Sequence, residues 1–460
     1  MNAAQLTIAE AARLIKRQKL SPVELVQDVF RRIDQLEPTF HTYITLMKDS
    51  ALEQARKAER DILAGNYIGP MHGIPVSIKD IAFTKGVRTT AGTSVLSDFV
   101  PTYDSAVVTK LKEAGAIILG KNNMHEFGLG TTNVNPHYGT VPNPWSQDRI
   151  PGGSSGGSAV AVATCMAMGA IGGDGGASIR MPAAFNNIVG IKPTNGLISR
   201  YGAFIGTWTL DSSGPMTRTV EDNALMLQAV AGHDPLDAYS ANVPVPNYLR
   251  AMKKGNISEL KIGVPKEYYF EISSKEVADS VRKAIDVLAD MGASVVEVSL
   301  PTAKYAVDAG AVISWSEYAV SQEELIKNHR DEFGKDVISI MELASMHMAT
   351  HYIKAQRARA VMIEEYNRAF QQVDVIITPT SPIPPPRIGE NTLLQVALLT
   401  RIACMTGEPA LSVPCGFTTD GLPIGAHIQA KRFNESVAFR VGHAYEQATD
   451  WHLRRAPVAW

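Results

Sequence analysis

Pro151 to Ala159 read PGGSSGGSA, four glycines and three serines in nine residues, a composition that by itself describes a flexible linker. The chain continues into VAVATCMAMGAIGG (160–173), which carries no charge, and then into a second glycine cluster, GDGGASIR (173–180). Linkers do not usually sit between buried segments. Two Gly/Ser turns flanking an apolar element mark places where backbone turns tightly or packs closely. The uncharged stretch from Ala159 to Ile171 has 13 residues, mostly small; it is too short to span a bilayer and is predicted to be a buried helix.

Outward from this centre the sequence consists of short apolar runs punctuated by Gly and Pro. GIPVSIKD (73–80), AGAIILGK (114–121), LKIGVPKEY (260–268), ASVVEVSLP (293–301), VDVIITPT (373–380) and PALSVPCG (409–416) read as strands. SKEVADSVRKAIDVLADMG (274–292) has helical period between two of them, a βαβ pattern, and NESVAFRVGHAYEQATDWH (434–452) reads as the last helix. Residues 1–65 read as helices throughout, and TSPIPPPRIGEN (380–391) as a loop. The expectation is an α/β protein: one large domain over 1–460, with a mixed, twisted central β-sheet wrapped by helices and the helical 1–65 segment packed on it.

Composition narrows the partners. With 45% hydrophobic and 20% charged residues and a net charge of −2, nothing draws the chain to nucleic acid or an anionic membrane. Three widely spaced cysteines fit neither a disulfide scaffold nor a CxxC metal site, and a reducing cytoplasm is the simplest setting. The first residues mix acids and bases, with Leu6, Ile8, Ala11, Ala12 and Ile15 marking an amphipathic helix rather than a secretory leader.

Three motif near-matches fail. Gly115 to Asn122, GAIILGKN, fits GxxxxGK but has Asn where a phosphate loop needs Ser or Thr, and its centre is strand-forming. The 11 histidines include no HExxH; His347 and His351 are the one i,i+4 pair, in a Met-rich segment expected to be pocket wall or core, so no metal is expected. GxSxG fits both Ser154 and Ser155, but a nucleophile elbow needs a strand before it, and NPWSQDRIPGG reads as a loop.

Together, GIPVSIKD with Lys79, PGGSSGGSA with Ser154 and Ser155, and GDGGASIRMPAA with Ser178 resemble the amidase signature family. KNNMHEFGLG, GIKPTNGLISRYG, LDSSGPMTRTVEDNA and GEPALSVPCGF extend the likeness over nearly the whole chain. The resemblance implies a Ser–Ser–Lys triad without metal or cofactor. Ser178 is its nucleophile, Ser154 a bridging serine after a cis peptide, Lys79 the buried neutral base, and Ser155 a support for the turn. A serine hydroxyl needs such a base. Lowering a lysine pKa from about 10.4 to roughly 7–8 costs on the order of 4 kcal/mol, which only function sustains. The amides of Gly175, Gly176, Ala177 and Ser178 are candidates for an oxyanion hole, and Asp174 with Arg180 for a pair bracing the loop. One departure stands out: Ala177 occupies a position where the family usually has glycine.

The family contains simple amidases, carbamate hydrolases and the ammonia-releasing chain of glutamyl-tRNA amidotransferase, which frees ammonia from glutamine for a partner. That chain usually carries an acid shortly before its last core strand. No acid lies between Gln395 and Glu408 here. Met124, Gly128, Tyr138, Trp208, Trp315 and Met341 are the candidate pocket residues, with Met346 and Met348 in the same variable segments, and suggest an apolar or aromatic substrate. The expectation is a monomeric or homodimeric hydrolase of small-molecule amides or carbamates, with no nucleic-acid partner and no membrane; the amidotransferase chain is the alternative.

Overall fold

The computed structural model describes residues 3–390 and 395–458. Its strands are β1 (Tyr43–Leu46), β2 (Pro75–Lys79), β3 (Ile117–Asn122), β4 (Gly169–Asp174), β5 (Val189–Lys192), β6 (Ser212–Thr217), β7 (Lys261–Pro265), β8 (Ser294–Val298), β9 (Val375–Pro379), β10 (Ala410–Phe417) and β11 (Pro423–Ala430). They form one 11-stranded sheet in the order β1-β3-β2-β4-β6-β5-β10-β11-β9-β7-β8. The pairs β2–β3, β2–β4, β7–β8 and β7–β9 are parallel and the others antiparallel, so the sheet is mixed, and helices cover it.

The central strands are buried on both faces. In β2 all five residues are buried, and the inward packing of Ile74, Val76 and Ile78 is matched by enclosure of Ser77 and Lys79 on the other side. The predicted βαβ unit is present: the helix Lys275–Asp290 links β7 to its parallel neighbour β8. The N-terminal segment is not wholly helical. Its helices Ile8–Lys16, Pro22–Phe40 and Lys48–Leu63 are interrupted by β1, which pairs antiparallel with β3. Ile8, Ile15 and Leu25 enter the same core cluster as Val76, Ile78 and Ile171. Asp222 receives the Ile8 and Ala9 N–H groups at 3.0 and 2.9 Å, fixing the start of the first of these helices.

The stretch expected as one buried helix is a helix, a turn and a strand. The helix covers only Gly156–Ala163, and β4 follows after Cys165, which has φ +60°. Alanine and glycine made β4 look like helix and turn, but its pairing with β2 and β6 settles its conformation. The loop at 380–390 is as expected; Asn391 lies outside the described residues. Among the described residues no helix is long and apolar enough to cross a membrane.

Candidate active site

β2 and β4 are parallel neighbours and end at the same edge of the sheet, where ligands of α/β sheets are usually held. Lys79 closes β2, while Asp174 closes β4 and leads into the loop ending at Ser178. The 151–155 turn brings Ser154 to the same place. Lys79 is 2% exposed, and its Nζ donates to Ser154 Oγ at 2.6 Å and to the Gly173 carbonyl at 3.3 Å. The Gly153–Ser154 peptide is cis. Ser155 Oγ donates to the Gly173 carbonyl and accepts from the Gly173 N–H, both at 3.3 Å, which ties the turn to β4.

The glycines in this turn answer to geometry rather than flexibility. Gly152 has φ +78°, and a Cβ on Gly157 would lie 2.3 Å from the Asn123 carbonyl oxygen. Any side chain at 157 would push the helix off the backbone of Asn123 and Thr42, which flank β3 and β1.

Burial lowers the Lys79 pKa to about 7, against Asp211 and Asp174, which favour the charged form. A substantial fraction of Lys79 is therefore a free amine near neutral pH, able to accept a proton. His125 is not among the residues lining the pocket around Lys79; its Nε2 pairs with Asp336 at 3.0 Å and its Nδ1 with Thr132 at 3.3 Å.

Asp174 organises the loop on the far side of the pocket. Its carboxylate accepts from Arg180 Nε at 2.9 Å and Arg180 Nη2 at 3.0 Å, and from the Gly176 and Ile179 N–H groups at 3.0 and 3.1 Å. Burial opposes the charge on Asp174, but Arg180 overrides it and holds the carboxyl well below the usual range. The Gly176 amide is thus committed to Asp174 and drops out of the expected oxyanion set. The amides of Gly175, Ala177 and Ser178 have no hydrogen-bond partner among the described residues. Ser178 is partly exposed to the pocket, and its hydroxyl likewise makes no hydrogen bond among the described residues.

Lys79, Ser154, Asp174, Gly175, Gly176, Ala177 and Ser178 share one pocket wall with Gly128 and Trp315. The other candidate pocket residues lie elsewhere. Met124 is buried next to Gly92, Tyr138 Oη donates to the Thr93 carbonyl, and Met341 packs in a core cluster with Phe127 and Phe333. Trp208 is 60% exposed, and Met346 and Met348 are also on the surface. His347 stacks on Trp315 near the surface, and among the described residues no cluster of metal-ligating side chains occurs. The pocket has an apolar and aromatic side, formed by Phe127, Phe204, Trp315 and Tyr318, with charged groups among it. Sequence reading missed the charged lining: Asp211 immediately before β6, Arg200, and Arg401. Asp211 and Arg401 lay inside stretches already singled out, LDSSGPM and the segment searched for an acid, but nothing local says that they converge.

The Amidase sequence family matches residues 24–438. The chain belongs to the amidase signature family. Within that family it is 41% identical to the A subunit of the glutamyl-tRNA(Gln) amidotransferase of Geobacillus kaustophilus (strain HTA426), covering 98% of both chains. Its fold matches the crystal structure of the corresponding A subunit from Thermotoga maritima with a TM-score of 0.84 at 33% identity, over 97% of this chain and 95% of that one. It also matches, with a TM-score of 0.92 at 28% identity, a chain from a vestigial complex described as revealing the origins of an s-triazine catabolic enzyme, over 96% and 98%. Other curated relatives at 40–42% identity carry the amidotransferase name. These likenesses overturn the expected stand-alone hydrolase of small amides or carbamates, and with it the expectation of no tRNA-linked or protein partner. The lack of an acid between Gln395 and Glu408 does not outweigh identity over the full length, and net charge says nothing of partners met through other subunits.

Proposed function

We propose that this amidase-family chain is the ammonia-releasing subunit of a glutamyl-tRNA amidotransferase, working in a reducing cytoplasm. The observation that carries the reading is the 41% identity to such a subunit over 98% of both chains. The site geometry is compatible with the chemistry this requires.

On this reading neutral Lys79 takes the Ser154 proton as Ser154 takes that of Ser178, and Ser178 Oγ attacks the side-chain carbonyl carbon of glutamine. Ser154 and Ser178 line the same pocket, and the relay requires a hydrogen bond between their hydroxyls in the substrate complex. The developing oxyanion is held by the free amides of Gly175, Ala177 and Ser178. When the C–N bond breaks, the relayed proton leaves with the nitrogen as ammonia, and a γ-glutamyl ester remains on Ser178. Water, deprotonated by the same relay, then frees glutamate. Asp174 and Arg180 hold the loop and move no proton.

The test is ammonia release from glutamine by the pure chain, alone and with the other amidotransferase subunits from the same genome. Release that rises on adding those subunits, together with amidation of glutamyl-tRNA, supports the reading. A chain that ignores glutamine in both settings contradicts it.

A further inference from the structure

One buried imidazole stands behind the nucleophile loop and has no part in the proton relay. His427 lies in β11, fully enclosed between its strand partners Ser412 of β10 and Thr378 of β9. Its Nε2 is 3.0 Å from Nη1 of Arg180, which is also fully buried. A guanidinium has only N–H donors, so the imidazole must accept. Nε2 therefore carries a lone pair, and the ring proton sits on Nδ1, which donates to Thr378 Oγ1 at 3.4 Å. A protonated ring would set N–H against N–H and one cation against another. Burial together with Arg180 accordingly lowers the His427 pKa well below the ordinary histidine value.

The whole Arg180 guanidinium is engaged. Nε and Nη2 hold the two Asp174 oxygens, and Nη2 also reaches the Gly176 carbonyl and Cys404 Sγ, both at 3.2 Å. Nη1 divides its N–H groups between the Thr400 carbonyl at 2.7 Å and His427. His427 thus ties the guanidinium to β11, which is not a neighbour of β4 in the sheet. Asp174 in turn holds the N–H groups of Gly176 and Ile179, on either side of Ser178. A shift of the guanidinium is passed to the backbone that carries the nucleophile.

We infer that His427 is a positioning residue whose Nε2 lone pair fixes Arg180 and, through the Arg180–Asp174 clasp, the placement of Ser178 and the amides before it. The inference rests on Ser178 being the nucleophile, not on which amide is cleaved. A side chain without an acceptor at that point leaves a buried Arg180 N–H unbonded, and the clasp is then free to turn about its Asp174 edge.

The test is the rate at which a fluorophosphonate labels Ser178, resolved into a binding constant KI and a maximal rate kinact. Glutamine at 427 puts its amide oxygen where Nε2 stands; asparagine, one carbon shorter, reaches only as far as Nδ1. His427→Gln should keep kinact within about threefold of the wild type. His427→Asn and His427→Leu should lower it by roughly ten- to hundredfold, with KI changed by less than about twofold. Labelling by His427→Gln as slow as by His427→Asn, or by His427→Asn as fast as by the wild type, would overturn the inference. A wild type whose Ser178 stays unlabelled would overturn it together with the nucleophile assignment, whereas failure with glutamine alone touches only the amidotransferase reading. Should His427→Asn and His427→Leu fail to fold, nitrogen NMR of the histidine-labelled wild type decides. His427, assigned by the signal lost in His427→Gln, should show a proton on Nδ1 and no further protonation from about pH 5 to 8. A proton on Nε2 anywhere in that range would contradict the inference.

Discussion

Lys79 sits at 2% exposure with its Nζ 2.6 Å from Ser154 Oγ, and burial sets its pKa at about 7. If its free amine is the active form, log kcat/KM rises with pH and levels off above about 7. Lys79→Ala should remove this limb with most of the rate, and Lys79→Arg should not restore it, because guanidinium keeps its proton. Stability gives an independent readout. The unfolded chain holds a proton on Lys79 up to about pH 10.4, while the folded chain sheds it near 7, so this group makes the fold more stable as pH rises between the two. Denaturant unfolding of the wild type against Lys79→Met at pH 7 and 9 should show a larger rise in the wild type, the remainder in both coming from other buried lysines such as Lys192, which burial lowers to about 8. Lys79, Ser154 and Ser178 were legible because a motif holds each in a short, ordered spacing. Asp211 and Arg401 were not, because the pocket wall is assembled from residues far apart in sequence, and no local pattern records which side chains meet.

At the scale of elements, the clasp between the end of β4 and the helix Arg180–Phe185 aims the nucleophile loop. Removing Arg180 leaves the Asp174 carboxylate buried without a counter-charge, so Arg180→Met should cost about 3–5 kcal/mol in chemical unfolding. It should also lower turnover, since Asp174 holds the Gly176 and Ile179 amides. A variant of near wild-type stability would mean that the loop is braced elsewhere. The capping of the helix Ile8–Lys16 by Asp222 makes a milder case: Asp222→Ala strands two N–H groups and should cost about 1–3 kcal/mol, measured in the same way. Element types followed from period and punctuation where side chains were large, as in β2, β7 and β9. They were missed where glycine, proline or brevity hid a strand: β4 is GAIGGD, β6 is SSGPMT, and β1 is four residues between two helices. In those strands the pairing partner, not the local side chains, determines conformation.

At the scale of the whole molecule, the fold follows from the alternation of strands and helices, while the biological setting does not. A fold can host more than one activity, so the 11-stranded sheet alone does not decide between a chain that acts alone and one that works with a partner. Likeness over the full length to amidotransferase A subunits favours the second. Prolonged dialysis against a chelator should leave ammonia release unchanged, since the proposed relay uses Lys79, Ser154 and Ser178; a loss restored by zinc would place a metal in the reaction. The most direct measurement is an acid quench during steady turnover of glutamine by the assembled enzyme, followed by peptide mapping. The expected result is a γ-glutamyl ester on Ser178 that is absent from Ser178→Ala. Ammonia released with the ester on Ser154 or Ser155, or with no acyl-serine at all, would contradict it.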